Sequence, residues 1–264
     1  MSRWTLLASL TGLMLLLLVA CQTVPITGRS QLQLLPESEE MRMGLQAYQE
    51  VLRKSRISHD PALNDLVTRV GRRIAEATGR RDLPWEFKVI DDNRQINAFA
   101  LPGGKVAVYT GMLPVTRDDT GLAAVLGHEV SHVIAHHGGE RVSQQLLVQA
   151  GLTATMAALS RGDPQTVRSV SSLLGAGAAV GLILPWSRQQ ESEADHLGLI
   201  FMAKAGYDPR AARDFWMRMA EAARGKGRPP EFLSTHPADV TRIRQIEQWL
   251  PEALQYYQTS PYRS

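Results

Sequence analysis

The sequence predicts an α+β fold, mainly helical, in which a small β-sheet stands beside one buried helix. Three observations carry that prediction. An H-E-x-x-H motif lies inside an apolar helical run from Leu122 to His137, two amphipathic helical patterns precede it, and short alternating segments separate the two regions. In Gly127-His128-Glu129-Val130-Ser131-His132, residues four apart share a helical face, so His128 and His132 can present two imidazole nitrogens to one ion. Zinc favours nitrogen donors in tetrahedral geometry, and a catalytic zinc keeps one position for water. Glu129 is then the candidate general base. With seven histidines in the chain, an accidental match on a surface helix is the alternative. The flanks oppose it: Val125, Leu126, Val130, Val133 and Ile134 make the helix apolar on several sides, and a buried His-Glu-His set needs a partner such as a metal. One Zn2+ per chain is the expectation.

At the N-terminus, Arg3 precedes an apolar run through Leu6, Leu13 and Leu15 to Leu18 that ends at Val19-Ala20-Cys21, the pattern of an export signal over residues 1–20. Leu-Val-Ala-Cys resembles a bacterial lipobox, which implies cleavage before Cys21 and lipidation of that residue. Cys21 is the single cysteine, which excludes an intramolecular disulfide. Gln22 follows it, and by resemblance to bacterial lipoproteins the lack of Asp there favours the outer membrane, with the body facing the periplasm. A net charge of +3 comes from dispersed Lys and Arg without basic runs or interleaved aromatics, so no nucleic-acid partner is expected. A hydrophobic content of 44% supports one substantial core.

Residues 21–37, with Pro25, Gly28 and Pro36, read as a lipidated tether and lead-in. A helix from Ser38 to Lys54 should carry Met41, Leu45, Tyr48 and Leu52 on one face. Asp60-Pro61 supplies an N-cap and first-turn proline for a second helix, with Leu63, Leu66, Val67, Val70 and Ile74 inward, ending near Gly79. Trp85, Phe87 and Val89 alternate as in a strand; Lys105 to Thr110 is another, behind the Pro102-Gly103-Gly104 turn. The second of these is expected at the sheet edge beside the cleft, where an extended polypeptide could pair with it. Asp118, Asp119 or Thr120 can cap the H-E-x-x-H helix.

From Leu146 to Trp186 the composition turns small and apolar. Its longest apolar run, Leu173 to Trp186, falls short of the roughly 20 residues a membrane span needs, so a buried or interfacial helical hairpin is expected. A second helix should run from a Ser187 cap to Gly206, through Glu191, Glu193 and Asp195. The H-E-x-x-H pair needs a third protein ligand. A histidine six residues past the second one would supply it in one arrangement, but Gly138 stands there. His136 reads as a satisfied or solvated residue, and His137 falls off the ligand face.

His128, Glu129 and His132, then Ser187-Arg188-x-x-Glu191-x-x-Ala194-Asp195, Asn97-Ala98-Phe99 and Ser234-Thr235-His236-Pro237 together resemble the zinc metallopeptidases that include the CAAX prenyl endopeptidases, HtpX and the mitochondrial Oma-type proteases. The resemblance covers about residues 38 to 250. It implies a gluzincin-type metallopeptidase domain over 38–264, with Glu191 as third zinc ligand and Asp195 as the acceptor that fixes a ligand imidazole. Glu193 should point away into solvent, and His196 is expected to be bland. The same resemblance places the His-Pro loop of His236 over the zinc cleft. There His236 either fills the fourth zinc position as a latch or stabilises the oxyanion in catalysis, the bland alternative being a capping or solvated histidine at a helix entrance. Without a set of transmembrane helices after its signal, the chain resembles the periplasmic lipoprotein branch, that of the beta-barrel assembly-enhancing protease. The helical repeats of that relative are not expected after the Trp249-Leu250-Pro251 helix end.

These readings converge on an expected zinc metalloendopeptidase of the bacterial cell envelope, lipid-anchored at Cys21. Its expected substrates are unfolded or misassembled outer-membrane and periplasmic proteins. The alternative is a chaperone-like envelope protein with a regulatory or vestigial zinc site, against which the complete His, Glu, His and Glu set argues.

Overall fold

The computed structural model describes residues 21–159, 183–224, 230–237 and 240–263. The chain starts with an antiparallel hairpin, β1 (Cys21–Thr23) and β2 (Ser30–Leu32), then α1 (Glu37–Lys54) and α2 (Pro61–Ala77). The hairpin is docked rather than a free lead-in: Val24 joins the core, and Gln31 and Gln33 are buried. Asp60 caps α2 as its sequence requires, accepting from the amides of Ala62 and Leu63, and Val67, Val70 and Ile74 face the core. On α1 Tyr48 is buried as expected, but Leu45 is exposed. The apolar face of α1 is thus narrower than the periodicity suggests, because only a strip of it lies over the sheet.

Among the described residues that sheet has three strands, β3 (Glu86–Ile90), β4 (Ala98–Leu101) and β5 (Lys105–Tyr109), in the order β3-β5-β4. β3 runs parallel to β5, pairing Phe87 with Val106, and β4 runs antiparallel to it, pairing Phe99 with Ala107. Side chains alternate across β5: Val106 and Val108 join the main core, while Ala107 packs under Tyr48 of α1. The expected edge position of Lys105–Tyr109 is therefore wrong. It is the central strand, which is why four of its five residues are buried, and β4 forms the edge beside the site.

After the short α3 (Leu113–Thr116) comes α4 (Asp119–Ile134), capped by Asp118, whose side chain accepts from the amide of Gly121. Leu122, Val125, Leu126 and Val130 are fully buried, so the helix runs through the core as its all-round apolarity predicts. It stops before His137, however. Ala135 leaves helical geometry and His136 takes a left-handed φ of 52°, after which α5 (His137–Leu159) starts in a new direction. α6 (Ile183–Lys204) begins upstream of the expected Ser187 cap, and α7 (Arg210–Arg224), the short α8 (Glu231–Thr235) and α9 (Val240–Thr259) complete the body. Pro251 lies inside α9 instead of ending it; the turns beyond it are held by the buried Ala253 and by Tyr256 and Tyr257 packed on the core.

α4 and α6 cross at Gly127 and Gly198. A Cβ on Gly127 would stand 2.9 Å from the Gly198 carbonyl oxygen, so only glycine permits the approach. Most of the expected apolar hairpin, including residues 160–182, lies outside the described residues. Among those described, no helix is long and apolar enough to cross a membrane.

Candidate metal centre

The crossing of α4 and α6 brings the candidate ligands together. His128 and His132 project from α4 and Glu191 from α6; His236 follows α8. One donor atom from each lies within 4.8 Å of all the others. His128 Nε2 is 3.1 Å from His132 Nε2 and 3.0 Å from His236 Nδ1. Glu191 Oε2 lies 3.4 Å from His128 Nε2, and Glu191 Oε1 lies 3.3 Å from His132 Nε2. Both Glu191 oxygens are 2.9 Å from His236 Nδ1. These spacings sit near the edge of roughly 3.3 Å that a tetrahedron with zinc–ligand distances of about 2.0–2.1 Å would have.

The donor chemistry fits a cation. His128 Nδ1 is 2.9 Å from Asp195 Oδ1, and His132 Nδ1 is 2.9 Å from His137 Nδ1. With each Nδ1 carrying the hydrogen, both Nε2 lone pairs point into the same small space beside a carboxylate. Lone pairs facing at 3.1 Å repel unless positive charge stands between them. The site favours that charge: burial and Arg242 push the His128 pKa down, but Glu191 and Asp195 outweigh them and raise it to about 9. His132, where burial dominates, is held well below its ordinary value. Burial would raise Glu191, yet His128, His132 and His236 hold it well below the carboxylate range.

Glu129 is also buried, and its Oε1 makes no hydrogen bond within the described protein. The nearest imidazole nitrogen, His236 Nε2, is 3.5 Å away. Burial raises its pKa, partly offset by His236 and His128 and by the backbone amide of Ala100 on β4. It faces a cleft of about 350 Å³ walled on one side by Ala98, Ala100 and Pro102 and on the other by His132 and His236. A base with an elevated pKa, facing an opening and free of a hydrogen bond at Oε1, is suited to accept a proton and release it again.

Arg242 of α9 ties the outer partners together. Its Nη2 donates to Asp195 Oδ1 at 2.7 Å and its Nη1 to Glu191 Oε2 at 3.1 Å, while the guanidinium lies 3.4 Å over the ring of Trp216. Trp216 packs edge-on against His128. Neither Arg242 nor Trp216 belongs to a sequence motif of the site. No spacing rule links either residue to the motif, since α7 and α9 reach the site only through packing.

Two expectations are corrected here. Glu193 is not solvated: it is buried against Thr27, Arg29 and His137. His137 is not turned away, because the break at Ala135-His136 redirects it onto His132. His136 pairs with Glu40 at 2.8 Å, and His196 stacks on Trp249 beside Glu252, both satisfied as expected. Cys21 lies at the start of β1.

Comparison with known proteins bears on the same residues. The chain matches the family described as Peptidase family M48 over residues 61–250, which includes His128, His132, Glu191 and His236. It is 40% identical over 240 residues to mitochondrial metalloendopeptidase OMA1 of Schizosaccharomyces pombe, covering 90% of this chain and 68% of that protein. The beta-barrel assembly-enhancing protease of Yersinia pestis is 31% identical over 231 residues, covering 86% of this chain but 47% of its own length. Its Escherichia coli counterpart is 29% identical over 228 residues, with 85% and 46% covered.

Proposed function

The chain belongs to peptidase family M48, the zinc metallopeptidases, and from that premise we propose that it is an endopeptidase of the bacterial cell envelope acting on misfolded or misassembled envelope proteins. One observation supports the active-site reading above the rest: four ligand atoms converge within 4.8 Å beside a buried carboxylate, Glu129, whose Oε1 has no hydrogen-bond partner among the described residues.

In this reading His128, His132 and Glu191 hold the metal. Zinc bound there would supply Lewis acidity toward an attacking water and the scissile carbonyl. Glu129 takes the proton of the attacking water at Oε1 and returns it to the departing amine, a task its burial-raised pKa suits. Asp195 accepts from His128 Nδ1 and fixes that ring, with Arg242 locking Asp195 in turn. His236 contacts the cluster through Nδ1, which favours the latch over the oxyanion role: with its loop in this place His236 would itself stand among the metal-holding residues until substrate moves the loop.

β4 supplies the substrate track. The amide of Tyr109 donates to the carbonyl of Asn97, so the paired register turns the backbone groups of Ala98 and Ala100 away from β5 and toward the cleft, where the Ala98 amide is held by Asn97 Oδ1, the Ala100 amide meets Glu129, and the two carbonyls face the opening. An extended chain could add there as a further strand, with affinity from backbone bonds and little dependence on sequence. That suits unfolded substrates. The envelope setting rests on the signal-like residues 1–20, the lipobox-like Cys21 as lipidation site, and the relatives named beta-barrel assembly-enhancing protease. On those grounds we place the protein on the periplasmic face of the outer membrane, anchored by lipid.

Zinc-dependent cleavage of casein by the wild type, Glu129→Gln and His236→Ala tests the reading. Glu129→Gln should keep about one zinc per chain while losing cleavage by roughly 100-fold or more; unchanged cleavage would sink the mechanism. His236→Ala should raise basal cleavage without much loss of zinc. A lower turnover would instead assign His236 to the oxyanion.

A further inference from the structure

The two histidines of α4 have different outer partners. His128 donates its Nδ1 hydrogen directly to the Asp195 carboxylate. His132, with Nε2 turned to the ligand cluster, has its Nδ1 2.9 Å from Nδ1 of a third histidine, His137. His137 Nε2 lies in turn 3.0 Å from Glu193 Oε2. One assignment of hydrogens satisfies the whole line: His132 Nδ1–H donates to His137 Nδ1, and His137 Nε2–H donates to Glu193. A carboxylate thus acts on His132 one ring removed.

Glu193 is held from the N-terminal hairpin. Arg29 Nε donates to its Oε2 at 2.7 Å, and Thr27 donates to its Oε1. The rest of the Arg29 guanidinium forms a two-pronged pair with the buried Glu140 of α5, at 2.7 and 2.8 Å, and Gln190 of α6 donates to the same carboxylate at 2.7 Å. Two buried carboxylates therefore share one guanidinium. Removing it would leave uncompensated charge where three elements meet.

A metal-binding imidazole can coordinate through either nitrogen, and the acceptor placed at the other nitrogen decides which. We propose that His137, set by Glu193 and through it by Arg29, is the positioning residue for the metal ligand His132, so that the N-terminal hairpin is part of the metal centre. The inference rests on reading His128, His132 and Glu191 as the zinc ligands. It also gives the redirected start of α5 a task, since a continuous helix would turn His137 elsewhere.

The test is zinc affinity of the full chain, measured by competition with a chromophoric chelator, together with thermal unfolding of the metal-stripped protein. His137→Leu should weaken zinc roughly tenfold or more, whereas His137→Asn, whose amide oxygen can accept from His132 Nδ1–H, should stay within about threefold of wild type. Arg29→Gln should fall between them. Metal-stripped unfolding of the two His137 variants should match, which a purely structural role would not combine with different affinities. Native affinity in His137→Leu, or equal loss in the leucine and asparagine variants, overturns the proposal. If His137→Leu does not fold, Glu193→Ala, which removes the acceptor of His137 Nε2–H, carries the measurement, and native zinc affinity in it is equally fatal. His128→Ala separates the two levels: retained zinc there sinks the ligand assignment itself, while lost zinc there with unaffected His137→Leu sinks only this inference.

Discussion

Gly127 and Gly198 touch backbone to backbone where the two ligand-bearing helices cross, and a Cβ on Gly198 would stand 2.9 Å from the amide nitrogen of His128. That contact sets how far Glu191 and Asp195 lie from His128 and His132. Gly198→Ala must push the helices apart. We expect a loss of about 1–3 kcal/mol from overpacking together with weaker zinc binding, read by urea unfolding and chelator competition. A variant with native stability and native zinc affinity would mean that the crossing does not set the site.

Glu191 and Glu193 sit two residues apart on α6 and should fail in different ways. Glu191→Ala removes a metal ligand, so it should lower bound zinc and the melting temperature of the zinc-loaded protein together. Glu193→Ala should also lower the stability of the metal-stripped protein, by about 3 kcal/mol, because the half-buried Arg29 and the buried His137 each lose a partner. Differential scanning calorimetry with and without zinc separates the two. Metal-stripped Glu193→Ala melting like wild type would contradict its place in the buried network.

Proline at two strand positions tests which strand is the edge. Val108→Pro, in the central β5, should cost about 3 kcal/mol or more and unfold much of the protein. Ala100→Pro, on the edge strand, removes the amide turned toward the cleft and Glu129 and should depress casein cleavage while moving the melting temperature far less. Equal destabilisation by both would show β4 to be interior.

His136 gives a pH signature away from the ligands. Its hydrogen bond to Glu40 raises its pKa in the folded state. The stabilisation is fully present below the unfolded value of about 6.5 and is lost as pH rises through the raised folded value. The stability difference between wild type and His136→Asn, a residue that tolerates the left-handed backbone, should therefore be largest near pH 6 and shrink toward pH 9. A difference that is flat across that range would show that the pair is not charged.

Whatever depends on neighbours along the chain was legible before folding. Spacing of four put His128 and His132 on one face; Asp60-Pro61 started α2 and Asp118 capped α4, because helical period and end chemistry are local. Glu191, Asp195 and His236 were legible only through family resemblance, being 59 or more positions beyond His132 in sequence. Tertiary structure alone decided the rest. β5 became the inner strand because β4 pairs on one side of it and β3 on the other, which no alternation within a five-residue strand encodes. Arg242 and Trp216 entered the site through helix packing. Helical phase carried through Ala135 would point His137 away from His132; the left-handed His136 cancels that phase, and burial then brings together an imidazole, a carboxylate and the Arg29 of a segment that reads in sequence as a mere tether.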